Sequence, residues 1–368
     1  MNIKKRILFV TDTFGYGGAE KQLAFVAEGL AARGHKIGIC NLNQRGNHEG
    51  MRQIDSRINM FVSDIIYRGS LRTNHELLAF VYKTSKIFKP DIIVGFKQLG
   101  FYAVVVGKLL KIPSVFSERA DPYRTYANAS CLQKLKLWFI NHADGGVFQT
   151  KEAMQFFSEH LNNVGVVIPN PIFIDQEISI LDYTSRPKTI VSLGRLDNYQ
   201  KRIDIMLDTF SLFLKNHPDY ILKIYGNGED EHMIKHWIVE KGLQNSVTMM
   251  GVSQNSLKDI SREGIFLCTS DFEGISNALL EAMACGLPVV STDHTPGGAR
   301  LLINNEENGL LAPVGDTKEL SVLLSRFADD YAFAERCGRN ARAVLKRFAP
   351  DKLLNLWEDY LLNIIVAA

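Results

Sequence analysis

Short apolar runs alternate along the first half of the chain with stretches in which apolar residues recur at helical spacing. The runs read RILFVTD, KIGICNLN, DIIVGF, SVFSER, GGVFQT and VGVVIPN, and the longer stretches include AEKQLAFVAEGLAARG and NHELLAFVYKTSKIFKP. Strands that alternate with helices in this way form β-α-β units. The pattern therefore predicts a parallel sheet covered by helices.

The same alternation begins again after the segment IPNPIFID, whose Pro169 and Pro171 indicate a linker. Six further runs follow, TIVSLGRLD, ILKIYGNGE, SVTMMG, GIFLCTS, LPVVSTD and NGLLAPV, before a closing region that is helical throughout. The sequence thus predicts an α/β protein with two doubly wound parallel sheets in tandem, which suits 368 residues. Ligands of such sheets bind at the carboxyl ends of the strands, so the cleft between the sheets is the predicted site.

The composition is that of a soluble protein, with 46% hydrophobic and 22% charged residues and no apolar run near the ~20 residues that cross a bilayer. The apolar start, MNIKKRILFV, is interpreted as a first strand rather than a signal peptide. The five cysteines are scattered without a C-x-x-C pair, which favours reduced thiols in a cytoplasmic protein over a zinc site or disulfides.

Charge is divided unevenly along the chain. Residues 1–170 hold 22 basic and 13 acidic side chains, whereas the remainder holds 20 and 27. A basic first half favours an anionic ligand or an anionic membrane surface. Within it, CLQKLKLWFINHA places Leu132, Leu135, Trp138 and Phe139 at helical spacing, with Lys134 and Lys136 beside them. This helix is predicted either to lie on a membrane or to face the core.

Three loops at predicted strand ends could hold a phosphate group. TFGYGGAEKQ offers Gly17 and Gly18 at a helix N-terminus, although it fails the dinucleotide pattern and is also explained by a plain tight turn. SLGRLDNYQKR places Arg195 and Lys201 where they could converge on a diphosphate, unless they are solvated surface charges. IYGNGED, with Gly226, makes another tight loop, which a plain strand–helix turn explains nearly as well. No D-x-D sequence exists, which argues against metal-dependent diphosphate binding.

The stretch DFEGISNALLEAMACGLP carries two acids, Glu273 in a loop and Glu281 inside the following helix. Ser276 or Asn277 can cap that helix, and the N–H groups of the loop can bind an anion. Glu281 is expected roughly 6–8 Å along the helix from its start. The two carboxylates should therefore reach different parts of an elongated ligand, a poor fit to the acid pair of a glycosidase.

Four segments in order and in register give the chain a family resemblance. EGISNALLEAMACGLPVVSTD resembles the E-x7-E motif of retaining glycosyltransferases of family 4, which have the GT-B fold. GRLDNYQK resembles the diphosphate-binding Arg and Lys of that family, GYGGAE its N-terminal glycine loop, and TPGGARLLI with NGLLAPVGD its closing strand and turn. The resemblance covers nearly the whole chain.

The resemblance implies a role for each matching residue. Arg195 and Lys201 would neutralise the diphosphate of a nucleotide-sugar donor, Glu281 would bind the ribose, and Glu273 would hold the transferred sugar near the reacting face. The remaining implied donor contacts are the backbone groups of Gly17, Gly18, Gly226, Gly251, Gly274, Ile275 and Ser276. No metal or other cofactor is expected.

One segment departs from the family pattern. Where many members have a histidine, SERADP places Arg119, with Glu118 and Asp121 on either side. This form resembles enzymes that build bacterial capsule, O-antigen or exopolysaccharide repeats on a polyprenyl diphosphate. The three residues would contact sugar or acceptor, or else form a structural ion pair.

The sequence therefore predicts an acceptor-binding domain over residues 1–170, a nucleotide-sugar domain over 171–345, and a closing helix over 346–368 that returns to the first domain. The expected activity is retaining transfer of a hexose or N-acetylhexosamine, from a UDP-sugar to a glycan or lipid-linked acceptor, in lipopolysaccharide or capsule synthesis. The expected location is the cytoplasm, peripheral to the membrane, with no nucleic-acid partner. A UDP-sugar epimerase and a binding module without turnover are the alternatives.

Overall fold

The computed structural model describes residues 4–15, 17–42, 52–66, 70–174 and 183–368. The chain divides into two compact units, which are described separately below. Unit 1 consists of Met1–Pro171 together with Pro350–Ala368, and unit 2 consists of Ile172–Ala349.

The described part of unit 1 contains one sheet of seven parallel strands in the order β3-β2-β1-β4-β5-β6-β7. The strands are β1 (Arg6–Thr11), β2 (Lys36–Asn41), β3 (Asn59–Val62), β4 (Ile92–Phe96), β5 (Ser114–Ser117), β6 (Gly145–Phe148) and β7 (Val166–Val167). The helices between them are α1 (Gly18–Ala32), α2 (Leu71–Phe88), α3 (Phe101–Leu110), α4 (Pro122–Thr125), α5 (Cys131–Ile140), α6 (Lys151–Gln155) and α7 (Glu159–Val164), with a 3-10 turn at Gln98–Gly100. The central strands are buried along their whole length, as expected for a sheet covered on both faces.

The described part of unit 2 contains a second parallel sheet, of six strands in the order β10-β9-β8-β11-β12-β13. Its strands are β8 (Thr189–Leu193), β9 (Ile221–Tyr225), β10 (Val247–Gly251), β11 (Ile265–Cys268), β12 (Val289–Thr292) and β13 (Leu310–Ala312). Its helices are α8 (Asn198–Lys201), α9 (Ile203–Leu214), α10 (Glu231–Glu240), α11 (Ser256–Ile260), α12 (Asn277–Ala284), α13 (Gly298–Leu302), α14 (Thr317–Asp329), α15 (Tyr331–Ala341) and α16 (Val344–Arg347), with a 3-10 turn at Tyr183–Ser185.

Every apolar run that the sequence analysis treated as a strand forms one, and the predicted α/β class with two doubly wound parallel sheets is confirmed. Strand β3 was not predicted from the sequence. This four-residue edge strand begins at Asn59 and stays partly exposed, so it lacks the continuous apolar character of the central strands.

The last helix, α17 (Pro350–Ala367), belongs to unit 1. Trp357 is fully buried there, and its ring stacks on Phe96 with 5.9 Å between the ring centroids. Further along the helix, the hydroxyl of Tyr360 accepts a bond from the Gly146 N–H at 2.8 Å and donates to the Val164 carbonyl at 2.7 Å. These contacts fix the helix against the sheet of unit 1.

Within the described residues, no helix has the length and apolarity needed to cross a membrane.

All five cysteines carry free thiols, of which only Cys131, the first residue of α5, is exposed. Burial raises the pKa of both Cys40 and Cys285 to about 12.

Candidate functional site

The strand order of unit 2 reverses between β8 and β11, and open parallel sheets bind ligands beside the carboxyl ends of strands at such a reversal. The side chains that follow these two strands meet there. Lys201, the last residue of α8, forms an ion pair with Glu273 from the loop between β11 and α12. Both side chains are largely buried, with 18% and 10% of their surface exposed.

The two charges stabilise each other against the cost of burial. Burial alone would raise the pKa of Glu273, but Lys201, His294 and the Ser270 hydroxyl outweigh it, and the pKa lies below its usual value. Burial would likewise lower the pKa of Lys201, but the Glu273 carboxylate outweighs it and the pKa is raised. Both groups are therefore ionised at neutral pH.

The loop that carries Glu273 is fixed by hydrogen bonds from several directions. The Ser270 hydroxyl donates to Glu273 Oε1 at 2.7 Å, and the Ser270 carbonyl accepts from Thr292 Oγ1 at 2.6 Å. The backbone N–H of Glu273 donates to the Thr295 carbonyl at 2.9 Å. The carboxylate is thus held in one place before any ligand arrives.

Arg195 lies on the exposed side of the same site. It lies two residues after the end of β8, and its Nη2 donates to Gln200 Oε1 at 3.1 Å. Arg195 and Lys201 line one small cavity of about 20 Å³ together with Ser270 and Ser276. The structure therefore brings together the two cations that the sequence analysis singled out.

The segment at the start of α12 borders this cavity. The Ser276 hydroxyl caps α12 by accepting the Leu279 N–H at 3.4 Å, which decides between the two predicted capping residues. Ile275 before it is buried. The carbonyl of Gly274 packs so closely on Gly298 that a Cβ at Gly298 would lie 1.8 Å from the carbonyl oxygen. Glu281 lies within α12 and is only 9% exposed.

The glycines predicted at neighbouring strand ends also meet. The Gly226 N–H donates to the Gly251 carbonyl at 2.7 Å, and the two residues have φ of 139° and 72°. A Cβ on Gly226 would lie 1.8 Å from the Gly194 carbonyl oxygen. Only glycine therefore allows the ends of β8, β9 and β10 to approach this closely.

Sequence reasoning missed two side chains of this site, Ser270 and His294. His294 is fully buried, and neither ring nitrogen has a hydrogen-bond partner among the described residues. Burial lowers its pKa more than the nearby Glu273 carboxylate raises it, so the imidazole is neutral at pH 7. A histidine in the loop after a predicted strand was the available signal, because such loops form the ligand-binding edge.

The glycine loop predicted in the first half belongs to unit 1. Gly17 precedes α1 in an extended conformation without a side-chain cap, and Gly18 is the first residue of the helix. As a glycine, the N-cap residue has no side-chain oxygen to accept an N–H of this first turn. Tyr16, between the loop glycines, lies outside the described residues.

Glu118, Arg119 and Asp121 are all buried in unit 1. Arg119 Nη1 donates to the Ile168 carbonyl at 3.0 Å, and its guanidinium lies 5.2 Å from the centroid of the Trp357 ring. Burial raises the pKa of Glu118 to about 7 and lowers that of Arg119 to about 9. Asp121 caps α4 by accepting the Tyr123 N–H at 2.9 Å. In this structure the three side chains contribute to the interior of unit 1.

The helix for which a membrane surface and the core were the two alternatives, α5, has both exposed and buried side chains. Leu135 and Trp138 of α5 are about half exposed, at 51% and 54%. Lys136, by contrast, is buried with its amine 4.9 Å from the centroid of the Phe101 ring, so it does not lie beside the exposed apolar residues.

Among the described residues, no group of three or more His, Cys, Asp or Glu side chains could hold a metal ion.

Two family models match the chain. "Glycosyltransferase Family 4" matches residues 16–176, and "Glycosyl transferases group 1" matches residues 174–344. Between them they span both units, and the segments that carried the resemblance lie inside these ranges or at their edge.

Among curated proteins, the chain is 33% identical over 179 residues to an exopolysaccharide phosphotransferase of Streptomyces coelicolor. This match covers 48% of the chain and spans only 19% of that protein. The chain is 21% identical over 359 residues to a Campylobacter jejuni enzyme, with 96% of the chain and 97% of that enzyme covered. Its name describes an α-1,4-N-acetyl-D-galactosaminyltransferase that acts on a GalNAc-containing PP-undecaprenol glycan.

A solved structure of Anabaena HepE in complex with UDP shares the fold. Its TM-score is 0.79 at 19% identity, with 97% of this chain and 100% of that chain covered. The two parallel sheets of unit 1 and unit 2 correspond to the two domains of the GT-B fold. Taken with the two family models, these findings show that the chain belongs to the family 4 glycosyltransferases and has the GT-B fold.

Proposed function

We propose that this chain transfers a hexose or N-acetylhexosamine from a UDP-sugar to a glycan on a polyprenyl-diphosphate carrier. The reaction retains the anomeric configuration, needs no metal ion and serves the synthesis of a bacterial surface polysaccharide such as a capsule or lipopolysaccharide. The observation that carries the proposal is the buried Lys201–Glu273 pair beside Arg195 at the switch point of unit 2.

The leaving diphosphate needs positive charge that is already in position. Lys201 and Arg195 line one cavity at the start of α12, where the helix dipole adds partial positive charge. A bound diphosphate would share Lys201 with Glu273, and Arg195 would give up its bond to the neutral Gln200 to make a forked contact. Two cations and a helix N-terminus supply the electrostatic stabilisation that a metal ion provides in other transferases.

Glu273 then holds the sugar. Its Oε1 accepts from Lys201 and Ser270, so the carboxylate keeps a fixed orientation while the other oxygen can accept a sugar hydroxyl. Glu281, one turn further along α12, is assigned to the ribose. In the reaction the bond between the anomeric carbon and the phosphate oxygen breaks, and the acceptor oxygen bonds the same face of that carbon. The departing phosphate takes the acceptor proton.

Relatives support the choice of substrates. The Campylobacter jejuni enzyme, similar over nearly its whole length, is named for a glycan on PP-undecaprenol, and HepE was solved with UDP. Such an acceptor keeps its lipid in the membrane. Leu135 and Trp138 on the exposed side of α5, with the basic charge of the first 170 residues, suit peripheral attachment at the cytoplasmic face.

The test of the activity is UDP release from a panel of UDP-sugars, with and without a lipid-linked glycan and with EDTA present. If the chain transfers the sugar, UDP release depends on the acceptor. If the reaction needs no metal ion, UDP release also continues in the presence of EDTA. Release that ignores the acceptor would refute transfer, and interconversion of two UDP-sugars would instead identify an epimerase. UDP binding without any turnover would identify a binding module.

Two variants connect the activity to the site. Lys201→Ala should lower kcat/KM by about 10²–10³-fold, which is typical for losing one group that stabilises developing charge. Lys223→Ala is the matched control, since Lys223 pairs with Glu263 at 2.9 Å in the same unit but away from the cavity. Equal kcat/KM in the two variants would show that Lys201 does not meet the diphosphate.

Membrane attachment has a separate test. The protein should bind phosphatidylglycerol vesicles in a salt-sensitive way and ignore phosphatidylcholine vesicles. Trp138→Ser should weaken that binding while leaving UDP affinity intact. If the wild-type protein showed no preference for anionic vesicles, peripheral attachment would be wrong.

A further inference from the structure

Arg202 lies at the sharp corner between α8 and α9 and follows Lys201 directly in the chain. Its φ of 50° and ψ of 56° belong to the left-handed region, which a residue with a side chain occupies only at a cost. Such positions persist where the surrounding contacts hold them, and they cluster at functional sites. The contacts of the Arg202 side chain show what holds this corner in place.

The guanidinium group of Arg202 contacts two aspartates. Its Nε and Nη2 donate to Asp204 Oδ1 and Oδ2 at 3.0 and 2.9 Å, so this contact stays within the corner. Its Nη1 donates to both carboxylate oxygens of Asp271 at 3.1 Å. Asp271 lies in the loop after β11, two residues before Glu273. Arg202 therefore joins the loop that contains Lys201 to the loop that contains Glu273.

Two ion pairs thus connect the same two loops, an inner pair of Lys201 with Glu273 and an outer pair of Arg202 with Asp271. The side chains of the outer pair are 28% and 17% exposed, compared with 18% and 10% for the inner pair. Next to the outer pair, the Asp271 N–H donates to the Gln200 carbonyl at 2.9 Å. The connection between the loops is therefore made by side chains and by the backbone.

A bound donor would act differently on the two pairs. The diphosphate would share Lys201, which weakens the contact of Lys201 with Glu273. The cavity proposed for the diphosphate is lined by Lys201 and not by Arg202 or Asp271, so the outer pair stays intact. The outer pair is then the ion pair that still holds the two loops together at full strength.

We propose that Arg202 is a positioning residue for the transfer reaction, which keeps Glu273 in register with Lys201 while Lys201 engages the donor diphosphate. The inference rests on the proposed function and adds a residue to it. The effect of Arg202 should be larger in the donor complex than in the free enzyme, because the inner pair also holds the loops of the free enzyme. A purely structural role would instead be equal in both states.

The first variant is Arg202→Gly. It removes the side chain and also relieves the strain at positive φ, because glycine adopts this conformation freely. The two effects oppose each other, so the melting temperature should stay within about 4 °C of wild type. Glu306→Gly is the matched control, because Glu306 has φ of 67° and pairs with Arg326 at 2.9 Å in the loop between α13 and β13. It loses the same kind of strain and ion pair in the same unit.

Two further variants separate the partners of Arg202. Asp271→Asn weakens the contact between the loops, whereas Asp204→Asn weakens only the contact within the corner. If Arg202 acts through Asp271, the double variant Arg202→Gly with Asp271→Asn should be no worse than Arg202→Gly alone, since the two residues serve one interaction. Additive losses would show that Arg202 acts by another route and would overturn the proposal.

The first readout is hydrogen exchange of a peptide that spans residues 269–276, on the full chain, with and without saturating UDP. This peptide contains the Asp271 N–H, which bonds the other loop. Exchange in Arg202→Gly should exceed wild-type exchange by about fivefold or more with UDP bound, and by about twofold or less without it. Asp271→Asn should behave in the same way, whereas Asp204→Asn and Glu306→Gly should resemble the wild type. The same factor with and without UDP would identify a structural role and overturn the proposal.

The second readout is acceptor-dependent UDP release from the UDP-sugar. Arg202→Gly should lower kcat/KM about 10–100-fold, because a small misplacement of a group that holds the reacting sugar has an effect of this size. UDP affinity should stay near wild type, since UDP lacks the sugar that Glu273 holds. Unchanged kcat/KM in Arg202→Gly, or an equal loss in Glu306→Gly, would overturn the proposal. If the wild type binds no UDP or transfers no sugar, the proposed function itself is wrong.

Discussion

The Lys201–Glu273 pair allows a quantitative test of how strongly unit 2 shields its site from water. In Lys201→Met the carboxylate of Glu273, a residue that is only 8% exposed, keeps the Ser270 hydroxyl but loses its counter-charge. Removing one partner of a buried ion pair costs about 3–5 kcal/mol, because the remaining charge stays desolvated. A pair exposed to solvent would contribute about 0–1 kcal/mol.

The double variant Lys201→Met with Glu273→Gln removes both charges together. It should recover most of the loss, since a neutral amide keeps the bond to Ser270 without a desolvated charge. The interaction free energy from the double-mutant cycle is therefore expected to be about 2 kcal/mol or more, within the range for residues in direct contact. Lys188→Met serves as the control for deleting a lysine of unit 2 from an exposed pair, since the side chains of Lys188 and its partner Asp219 are 52% and 54% exposed.

The assay is hydrogen exchange in urea, resolved to peptides that contain β8 and β11, so that the stability of unit 2 is measured separately.

The direction in which the stability loss of Lys201→Met changes with pH provides a second check. Without Lys201 the pKa of Glu273 should rise above its unfolded value, so the stability lost in the variant should be smaller at pH 5 than at pH 8. A loss under 1 kcal/mol at pH 8, or no recovery in the double variant, would refute the assignment of a buried pair.

Three further predictions follow from other contacts. Gly298→Ala should lower kcat/KM at least tenfold and also destabilise unit 2, because its Cβ would lie 1.8 Å from the Gly274 carbonyl oxygen. Steady-state kinetics and thermal unfolding measure the two effects, and unchanged kinetics would show that the loop around Gly274 adapts easily. Glu20 has a lowered pKa, so its pairing with Lys97 stabilises the fold above about pH 4.5, and this stabilisation is lost as the pH falls. Glu20→Gln should therefore destabilise the protein more at pH 7 than at pH 4 in urea titrations, and equal losses of unfolding free energy at the two pH values would contradict the pairing. Trp357→Ala should cost about 3–5 kcal/mol in exchange protection of β4, since the ring is fully buried; a loss confined to α17 would show that the helix packs weakly.

The sequence was informative where local rules determine structure. Continuous apolar runs bounded by turn residues located the strands, because strands buried on both faces have no polar side to interrupt the pattern. Glu273 and Lys201 lie 72 residues apart. Both were nevertheless predicted from the sequence, because each follows a predicted strand and because four family segments occur in register.

What the sequence could not supply depends on distance in space. His294 and Ser270 became site residues only when the loops after β11 and β12 came together. Lys97 and Glu20 likewise pair across 77 residues, with no local pattern that would link them. The burial of Arg119 could not be predicted from the sequence either, because its contact with Trp357 forms only when the last helix, α17, packs on unit 1.

Only one of the five thiols is exposed, so the native protein can be labelled selectively at one cysteine. Cys40, Cys268, Cys285 and Cys337 are buried with raised pKa values, so little of each is the reactive thiolate at neutral pH. Cys131 is exposed at the start of α5, the helix that carries Leu135 and Trp138. A thiol-reactive fluorophore should therefore label the native chain at a single position, next to the surface proposed to meet the membrane. Binding of the protein to vesicles could then be followed by the shift in the emission wavelength of the fluorophore, without an engineered cysteine.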